Sequence, residues 1–336
     1  MLRLLNLELI GEGQHRSGWP YAINALRPLL DPDAEILLDD FVERTFLYDQ
    51  KVKIDIVHTV PWVGVLHHPP DMPAWYMDHM RLQNLLNDPR FLASFKHLRM
   101  LIVMGANLHR WCQFTWPKIP CVTIKHPTGR PMLYWSPERF HDNPRQQVVQ
   151  VGWFLRNMAA IYHAHVPRWL KKAHLMQHTN YWANYMLSQS KRMYAQLHPE
   201  RVEYGQVSRI LSIDDTDYDL LLSENVVFME AVSAVANNTV IECIARNTPI
   251  CINRHPGPEY YLGKNYPLFY NHFDEIEGLL TMDNILAAHD HLCKIDKWWM
   301  RGNMFMEQVL AACIKHIPEC REAAARLQHL DLSSNI

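Results

Sequence analysis

Several features that would place a protein outside the soluble globular class are missing from this chain of 336 residues. No apolar run approaches the roughly 20 residues that a membrane-spanning helix needs. The N-terminal stretch 1–10 is short and strand-like, and polar residues follow at once, so we expect no secretory signal. The seven cysteines are scattered without a CxxC pair, which is typical of reduced core residues. We therefore expect a cytoplasmic protein with no transmembrane segment.

The chain also lacks two spacings that mark bound metals and dinucleotides. No HExxH sequence is present, so we predict no bound metal. Gly11, Gly13 and Gly18 lie in a loop after the first apolar run and permit close approach of a ligand to the backbone. Their GxGxxxxG spacing differs from the GxGxxG of dinucleotide-binding loops. The loop is therefore a candidate ligand-facing element without a cofactor signature.

Hydrophobic residues make up 48% of the chain and charged residues 20%, which suits a large buried core. Apolar runs alternate with helical patterns, and this alternation predicts an α/β fold with mostly parallel sheets. We place a boundary near Gln146, giving domains 1–146 and 147–318, with a terminal helix at 319–336 packing back on the first. The strands that we predict are 4–10, 54–58, 62–66, 100–104, 121–125, 148–152, 226–229 and 250–253, and the main helices are 20–30, 75–86, 106–114, 181–197, 214–224, 240–246, 283–294 and 297–316.

The net charge of −2 conceals an asymmetry between segments. Residues 81–212 contain 18 Lys and Arg against 5 Asp and Glu, whereas residues 213–336 contain 9 against 18. A basic middle segment suits an anionic nucleotide or a polyanionic partner. Uneven surface charge with no function is the competing interpretation.

The stretch 226–263 carries the strongest functional signal. The apolar run 226–229 predicts a buried strand, and small and polar residues follow it. An amphipathic helix then carries Glu242 and ends before Pro249, because the residue preceding a proline is disfavoured in the α region. A loop that opens onto a helix N-terminus offers free N–H groups and a positive dipole end to a phosphate.

This stretch resembles the donor-binding half of glycosyltransferases with the GT-B fold, in which two Rossmann-like domains face each other across a cleft. The resemblance implies a metal-independent enzyme without a cofactor that transfers a sugar from a nucleotide-sugar donor, such as a UDP-sugar, to an acceptor hydroxyl. It implies a ribose-binding role for Glu242 and a diphosphate-binding role for Arg156. The donor-binding residues that it implies are Gly152, Arg156, Ser233, Asn237, Asn238, Thr239 and Glu242.

Retaining members of this class often carry a second glutamate eight positions before the ribose-binding one. Ala234 occupies that position here, so inversion at the anomeric carbon is favoured. An inverting enzyme needs a general base to deprotonate the acceptor hydroxyl. The candidate bases are His67 and His68 at a strand end, and Glu12 and His15 in the glycine-bearing loop.

The acceptor side is less defined than the donor side. Gly11, Gly13, Gly18 and Trp19 form the candidate acceptor-facing loop, since aromatic faces stack on sugars. We expect a glycan or another hydroxyl-bearing acceptor, with a modified base in DNA as an alternative. A nucleotide-sugar-binding relative without activity and a nucleotide-sugar epimerase are further alternatives, and for the donor loop an α/β crossover without a ligand is the plain structural interpretation.

Overall fold

The computed structural model describes residues 1–5, 18–48, 56–176, 180–203, 205–211 and 213–321. Within them the chain divides into two units, Met1–Gly129 with Lys297–Ile336, and Arg130–Asp296. We predicted the division near Gln146. This residue has a φ of +40° and directly precedes the strand Gln147–Val151. Among the described residues, no helix combines the length and apolarity needed to cross a bilayer.

The first unit contains a five-stranded parallel sheet with the order β1-β2-β3-β4-β5. Helices α1 to α3 connect or follow these strands. Every residue of β2 and β3 is buried, as expected for parallel strands covered on both faces. The elements are β1 (Arg3–Leu4), α1 (Trp19–Ala25), β2 (Leu37–Asp39), β3 (Trp62–Leu66), α2 (Pro89–Phe95), β4 (Leu98–Val103), α3 (Ala106–Thr115) and β5 (Cys121–Thr123).

The second unit contains a six-stranded parallel sheet with the order β11-β10-β9-β6-β7-β8. The chain adds β7 and β8 on one side of β6, then returns to place β9, β10 and β11 on the other. The strand order therefore reverses between β6 and β9. The elements are α4 (Pro137–Asp142), β6 (Gln147–Val151), α5 (Ala160–His163), β7 (Lys171–Met176), α6 (Asn180–Leu197), β8 (Val207–Leu211), α7 (Asp215–Ser223), β9 (Val226–Met229), α8 (Asn238–Arg246), β10 (Ile250–Asn253), α9 (Pro256–Leu262), β11 (Phe269–Tyr270), α10 (Ile276–Leu279) and α11 (Met282–Lys294).

The chain then returns to the first unit and forms α12 (Gly302–His316). The close packing of α12 on α1 depends on Gly302, where an added Cβ would lie 3.0 Å from the Cβ of Ala25. This return begins at Lys297, before the segment 319–336 that we expected to pack back. Residues 322–336 lie outside the described residues.

Two of the local predictions were wrong. The predicted helix 75–86 consists of two 3-10 segments, Asp78–Met80 and Leu82–Asn87, because Met77 is left-handed and Arg81 is extended. Residues 56–58 of the predicted strand 54–58 form no strand, and the rest lies outside the described residues. The predicted strands at 226–229 and 250–253 are confirmed without a shift of either boundary.

Strands β2, β7, β8 and β11 were not predicted. Strand β7 begins with two lysines, which argue against a central position. Lys172 is nevertheless buried, because its Nζ donates to the carbonyl oxygens of Tyr162 (3.3 Å) and Ala164 (3.0 Å). These hydrogen bonds satisfy the buried Lys172 side chain. Because that side chain is charged, the sequence pattern did not indicate a buried strand.

A buried ion pair joins α7 to the end of α8. The Arg246 guanidinium donates from Nε to Asp219 Oδ1 (3.1 Å) and again from Nη2, while the Met132 N–H donates to Asp219 Oδ2 (3.1 Å). Arg246 is 2% exposed and Asp219 is fully buried. Removing either partner would leave the other charge buried and uncompensated.

We predict that Asp219→Ala lowers the free energy of unfolding by about 3–5 kcal/mol, because the Arg246 charge loses its partner. Asp215→Ala, an exposed carboxylate of the same helix, should cost less than about 1 kcal/mol. Urea unfolding monitored by circular dichroism measures both values. Equal costs for the two variants would show that the pair does not hold α7 on α8.

Candidate functional site

The reversal of strand order between β6 and β9 defines a candidate binding edge in the second unit. In open parallel sheets, ligands bind outside the carboxyl ends of the strands at such a reversal. The loops after β6 and β9 are joined there by hydrogen bonds from Asn157 N–H to Glu230 O (2.9 Å) and from Val232 N–H to Leu155 O (2.8 Å). These loops contain Gly152, Arg156 and Ser233, three of the donor-binding residues that we predicted from the sequence.

Arg156 is positioned by its own loop and by the start of α8. Its Nη1 donates to the Val151 carbonyl (2.8 Å), and its Nη2 donates to Asn237 Oδ1 (3.0 Å). Asn237 is also the N-cap of α8, because the same oxygen accepts from the Val240 N–H (3.3 Å). A half-buried guanidinium therefore lies beside the positive end of a helix.

Gly152 makes this arrangement possible. Its φ of +79° lies in the left-handed region, and an added Cβ would be 1.2 Å from Arg156 Nη1. Leu155 in the same loop also has a positive φ, +53°. The backbone thus takes two conformations that side chains disfavour in order to fold Arg156 back across the end of β6.

The remaining predicted donor-side residues lie in or next to α8. Ser233 is buried in the loop after β9, and Asn238 and Thr239 are the first two residues of the helix. Glu242 is 1% exposed, and its Oε2 accepts a hydrogen bond from the Tyr218 hydroxyl (2.5 Å). Arg156 and Asn237 are thus in direct contact, while Glu242 is one helical turn further along.

The candidate acceptor-side residues of the first unit meet after β2 and β3. The His67 ring lies 4.4 Å from the Trp19 ring, and Trp19 Nε1–H donates to Asp40 Oδ2 (2.9 Å). His67 Nε2 is 2.9 Å from the Asp40 carbonyl oxygen, which can only accept, so Nε2 carries the proton and Nδ1 the lone pair. Gly18 precedes Trp19 and is the N-cap of α1.

His68 contacts a different carbonyl and a different ring. Its Nδ1 donates to the Met80 carbonyl (2.8 Å), and its ring is stacked parallel to Tyr48. Burial lowers the pKa of His68 to about 4 and holds the pKa of His67 well below its usual range, so both rings are neutral near pH 7. The other predicted residues, Gly11, Glu12, Gly13 and His15, lie outside the described residues.

A buried carboxyl group that we did not predict as a site residue binds the main chain of these two histidines. Glu43 Oε1 accepts from the N–H of His67 (2.8 Å) and of His68 (2.7 Å). Burial raises the pKa of Glu43 to about 8, although the N–H groups of His68 and His67 oppose this shift. His126 is a second missed residue, with its ring 5.7 Å from that of Trp19. The only local signal was that His126 follows an apolar strand, as His67 does.

Open parallel sheets with helices between their strands define the Rossmann-like class for these two units. No protein-family model matches the chain, and no curated protein sequence matches it. Solved structures do match, and among them are trehalose-6-phosphate synthases, which have the GT-B fold. The predicted fold class, two Rossmann-like domains of the GT-B type, is thereby confirmed.

Three of these structures illustrate the similarity. The E. coli trehalose-6-phosphate protein bound with UDP-2-fluoro glucose has a TM-score of 0.52 and 12% identity, over 86% of this chain and 75% of that one. The α,α-trehalose-phosphate synthase (UDP-forming) from Burkholderia xenovorans in complex with glucose-6-phosphate has 0.52 and 13%, over 88% and 76%. The N-terminal domain of trehalose-6-phosphate phosphatase from Candida albicans has 0.52 and 10%, over 89% and 73%. At such identities the likeness shows the fold.

We predict that Gly152→Ala destabilises the second unit more than Gly205→Ala does. Both glycines have positive φ, +79° and +59°, so both variants incur backbone strain of about 1–2 kcal/mol. Only at Gly152 does the new Cβ collide with Arg156, whereas nothing lies within 4 Å at Gly205. Urea unfolding should show an extra loss of about 1–3 kcal/mol for Gly152→Ala, from the displaced Arg156 hydrogen bonds. Matching losses would mean that Arg156 can move at no cost.

We predict that Glu43 makes the first unit less stable as pH rises. Between the usual glutamate pKa and the raised value of about 8, the folded state binds the proton that the unfolded state has lost. Stability therefore falls with rising pH in this window, by at most about 1.4 kcal/mol per pH unit, and this loss is absent at lower pH.

Glu43→Gln keeps an acceptor oxygen for both histidine N–H groups but removes the titration. Its free energy of unfolding relative to wild type should therefore increase from pH 5 to pH 8. Urea unfolding at four pH values measures the slope, with Glu35→Gln, an exposed carboxylate of the same unit, as the control. Parallel pH profiles for wild type and Glu43→Gln would contradict a proton held on Glu43.

Proposed function

We propose that this chain is a glycosyltransferase that transfers a sugar from a nucleotide-sugar donor to an acceptor hydroxyl. The observation that carries the proposal is the contact of Arg156 with the N-cap of α8, at the reversal of strand order between β6 and β9. Such a place combines a guanidinium, helix N–H groups and a sheet edge suited to ligands. The GT-B fold of the similar structures supports the same assignment.

The donor diphosphate would bind between Arg156 and the start of α8, with Gly152 allowing close approach. Ser233, Asn237, Asn238 and Thr239 would form the polar loop around it. Glu242, one turn further along α8, would accept hydrogen bonds from the ribose hydroxyls. These assignments combine the resemblance of the sequence with the geometry of the second unit.

The chemistry would need a base and a stabilised leaving group. The acceptor hydroxyl loses its proton to His67 Nδ1 while its oxygen attacks the anomeric carbon. The bond from that carbon to the donor phosphate oxygen breaks, and its electron pair remains on the diphosphate. Arg156 and the helix dipole of α8 would stabilise that charge without a metal or cofactor. Gly18 and Trp19, beside His67, would contact the acceptor.

Two of the similar structures support particular classes of donor and acceptor. One of them is described as bound with UDP-2-fluoro glucose and another as a complex with glucose-6-phosphate. We therefore propose a UDP-sugar as donor and a sugar or sugar phosphate as acceptor. The similar structures give no support to a modified base in DNA, which rests on the basic segment 81–212 and its aromatic residues.

UDP binding tests the site in the second unit. We expect UDP at about 100 times its Kd to stabilise the wild-type protein by about 2.7 kcal/mol, a rise of several degrees in Tm. Arg156→Ala should weaken UDP binding about 10- to 100-fold, because hydrogen bonds to a charged phosphate are lost. Arg139→Ala, an exposed arginine of α4 in the same unit, is the control. An unchanged Tm shift in Arg156→Ala would exclude the proposed diphosphate site.

The stereochemical outcome tests the interpretation of Ala234. A buried alanine lies where a second glutamate is common in retaining enzymes, so we propose inversion of the anomeric configuration. One similar structure comes from work on glycosyl transfer with retention by trehalose-6-phosphate synthase. Inversion would therefore distinguish this chain from that enzyme. Proton NMR of the first product formed should show the anomer opposite to that of the donor. A product that keeps the donor configuration would overturn both the inversion and the role of His67 as base.

A further inference from the structure

The Tyr218 hydroxyl contacts Glu242, the candidate ribose-binding residue, inside the second unit. Tyr218 lies in α7, is 9% exposed, and donates to Glu242 Oε2 at 2.5 Å. Every residue of α8 from Thr239 to Arg246 is buried, so the position of the Glu242 carboxylate depends on its buried neighbours. Tyr218 was not among the residues that the sequence selected.

The surroundings of Tyr218 set the protonation state of its phenol. Burial and then the charge of Glu242 raise the pKa of the Tyr218 phenol well above its usual range, so the phenol remains a hydrogen-bond donor. The neighbouring cation, Arg246, is paired with Asp219 and donates from Nη1 to the backbone carbonyl of Glu242 (3.3 Å). The Tyr218 hydroxyl donates to the Glu242 side chain as a neutral group.

A hydrogen bond from a neutral hydroxyl can fix the orientation of a carboxylate. The two oxygens of a carboxylate offer about four lone-pair sites, and the Tyr218 hydroxyl donates to one of them, on Oε2 of Glu242. A ribose diol needs two acceptors in a fixed orientation, and a glutamate side chain is flexible unless something holds it. The hydrogen bond at Oε2 supplies that constraint without neutralising the charge.

We propose that Tyr218 is a positioning residue that orients the Glu242 carboxylate for the hydroxyls of the donor ribose. This inference rests on the proposed function and deepens it, since it makes selectivity for ribonucleotides over deoxyribonucleotides a property of the α7–α8 pair. Tyr218 acts through Glu242 and needs no contact with the nucleotide.

Binding of UDP and of 2′-deoxy-UDP, measured by isothermal titration calorimetry, tests the proposal. Tyr218→Phe keeps the ring packing and removes only the hydroxyl. We expect UDP affinity to fall about 10-fold, as for a lost hydrogen bond to a charged group, and 2′-deoxy-UDP affinity to fall less than about 3-fold. The preference for UDP over 2′-deoxy-UDP should therefore shrink, a readout that loss of stability alone would not change.

Tyr194→Phe is the matched control. Tyr194 is a buried tyrosine of α6 whose hydroxyl accepts from Arg201 Nη1, so its hydroxyl is likewise engaged within the same unit. This variant should leave the preference for UDP as it is in the wild type. A preference lowered equally by Tyr194→Phe and Tyr218→Phe would overturn the assignment, because any buried hydroxyl would then have the effect.

A double-mutant cycle with Glu242→Gln separates action through Glu242 from an independent role. Tyr218→Phe should have little further effect on the preference in the Glu242→Gln background, since residues acting as a unit are not additive. Additive effects, or an unchanged preference in Tyr218→Phe, would overturn the proposal for Tyr218 while leaving the donor site standing. Failure of the wild-type protein to bind UDP would instead overturn the proposed function, and this inference with it.

Discussion

The candidate donor site depends on one backbone conformation, the left-handed φ of Gly152 at the end of β6. Because no Cβ is present there, Arg156 folds back over the strand end and reaches both Val151 O and the N-cap Asn237. The cation, the helix N-terminus and the reversal of strand order thus coincide in space. A side chain at position 152 would separate the cation from the helix.

Both units contain a parallel sheet, but different chemical groups lie at the carboxyl ends of their strands. The second unit presents a cation and a helix N-terminus, which suit anionic groups. In the first unit, the neutral ring of His67 is held between Trp19, Phe41 and the Asp40 carbonyl. A neutral imidazole beside an aromatic face suits a hydroxyl-bearing partner, and this is the role that we propose for the first unit.

In each unit, a buried carboxyl group binds residues of the candidate site or next to it. Glu43 accepts hydrogen bonds from the main chain of His67 and His68 in the first unit, and Asp219 of α7 pairs with Arg246 at the end of α8 in the second. In the first case the charge is removed by protonation, and in the second it is matched by a guanidinium. Both solutions avoid an uncompensated charge in a region of low dielectric.

The GT-B fold class came from the resemblance of residues 226–263 to known glycosyltransferases. The residue pattern by itself determined the strands at 226–229 and 250–253 and helix α8 with its polar N-terminus. These features follow from local periodicity, from Pro249 and from capping, which act over a few residues. Only the tertiary structure decided that Tyr218 contacts Glu242 and that Glu43 holds the two histidines. These contacts join residues 24 or 25 positions apart, and no local pattern encodes such pairing because it depends on how whole elements pack.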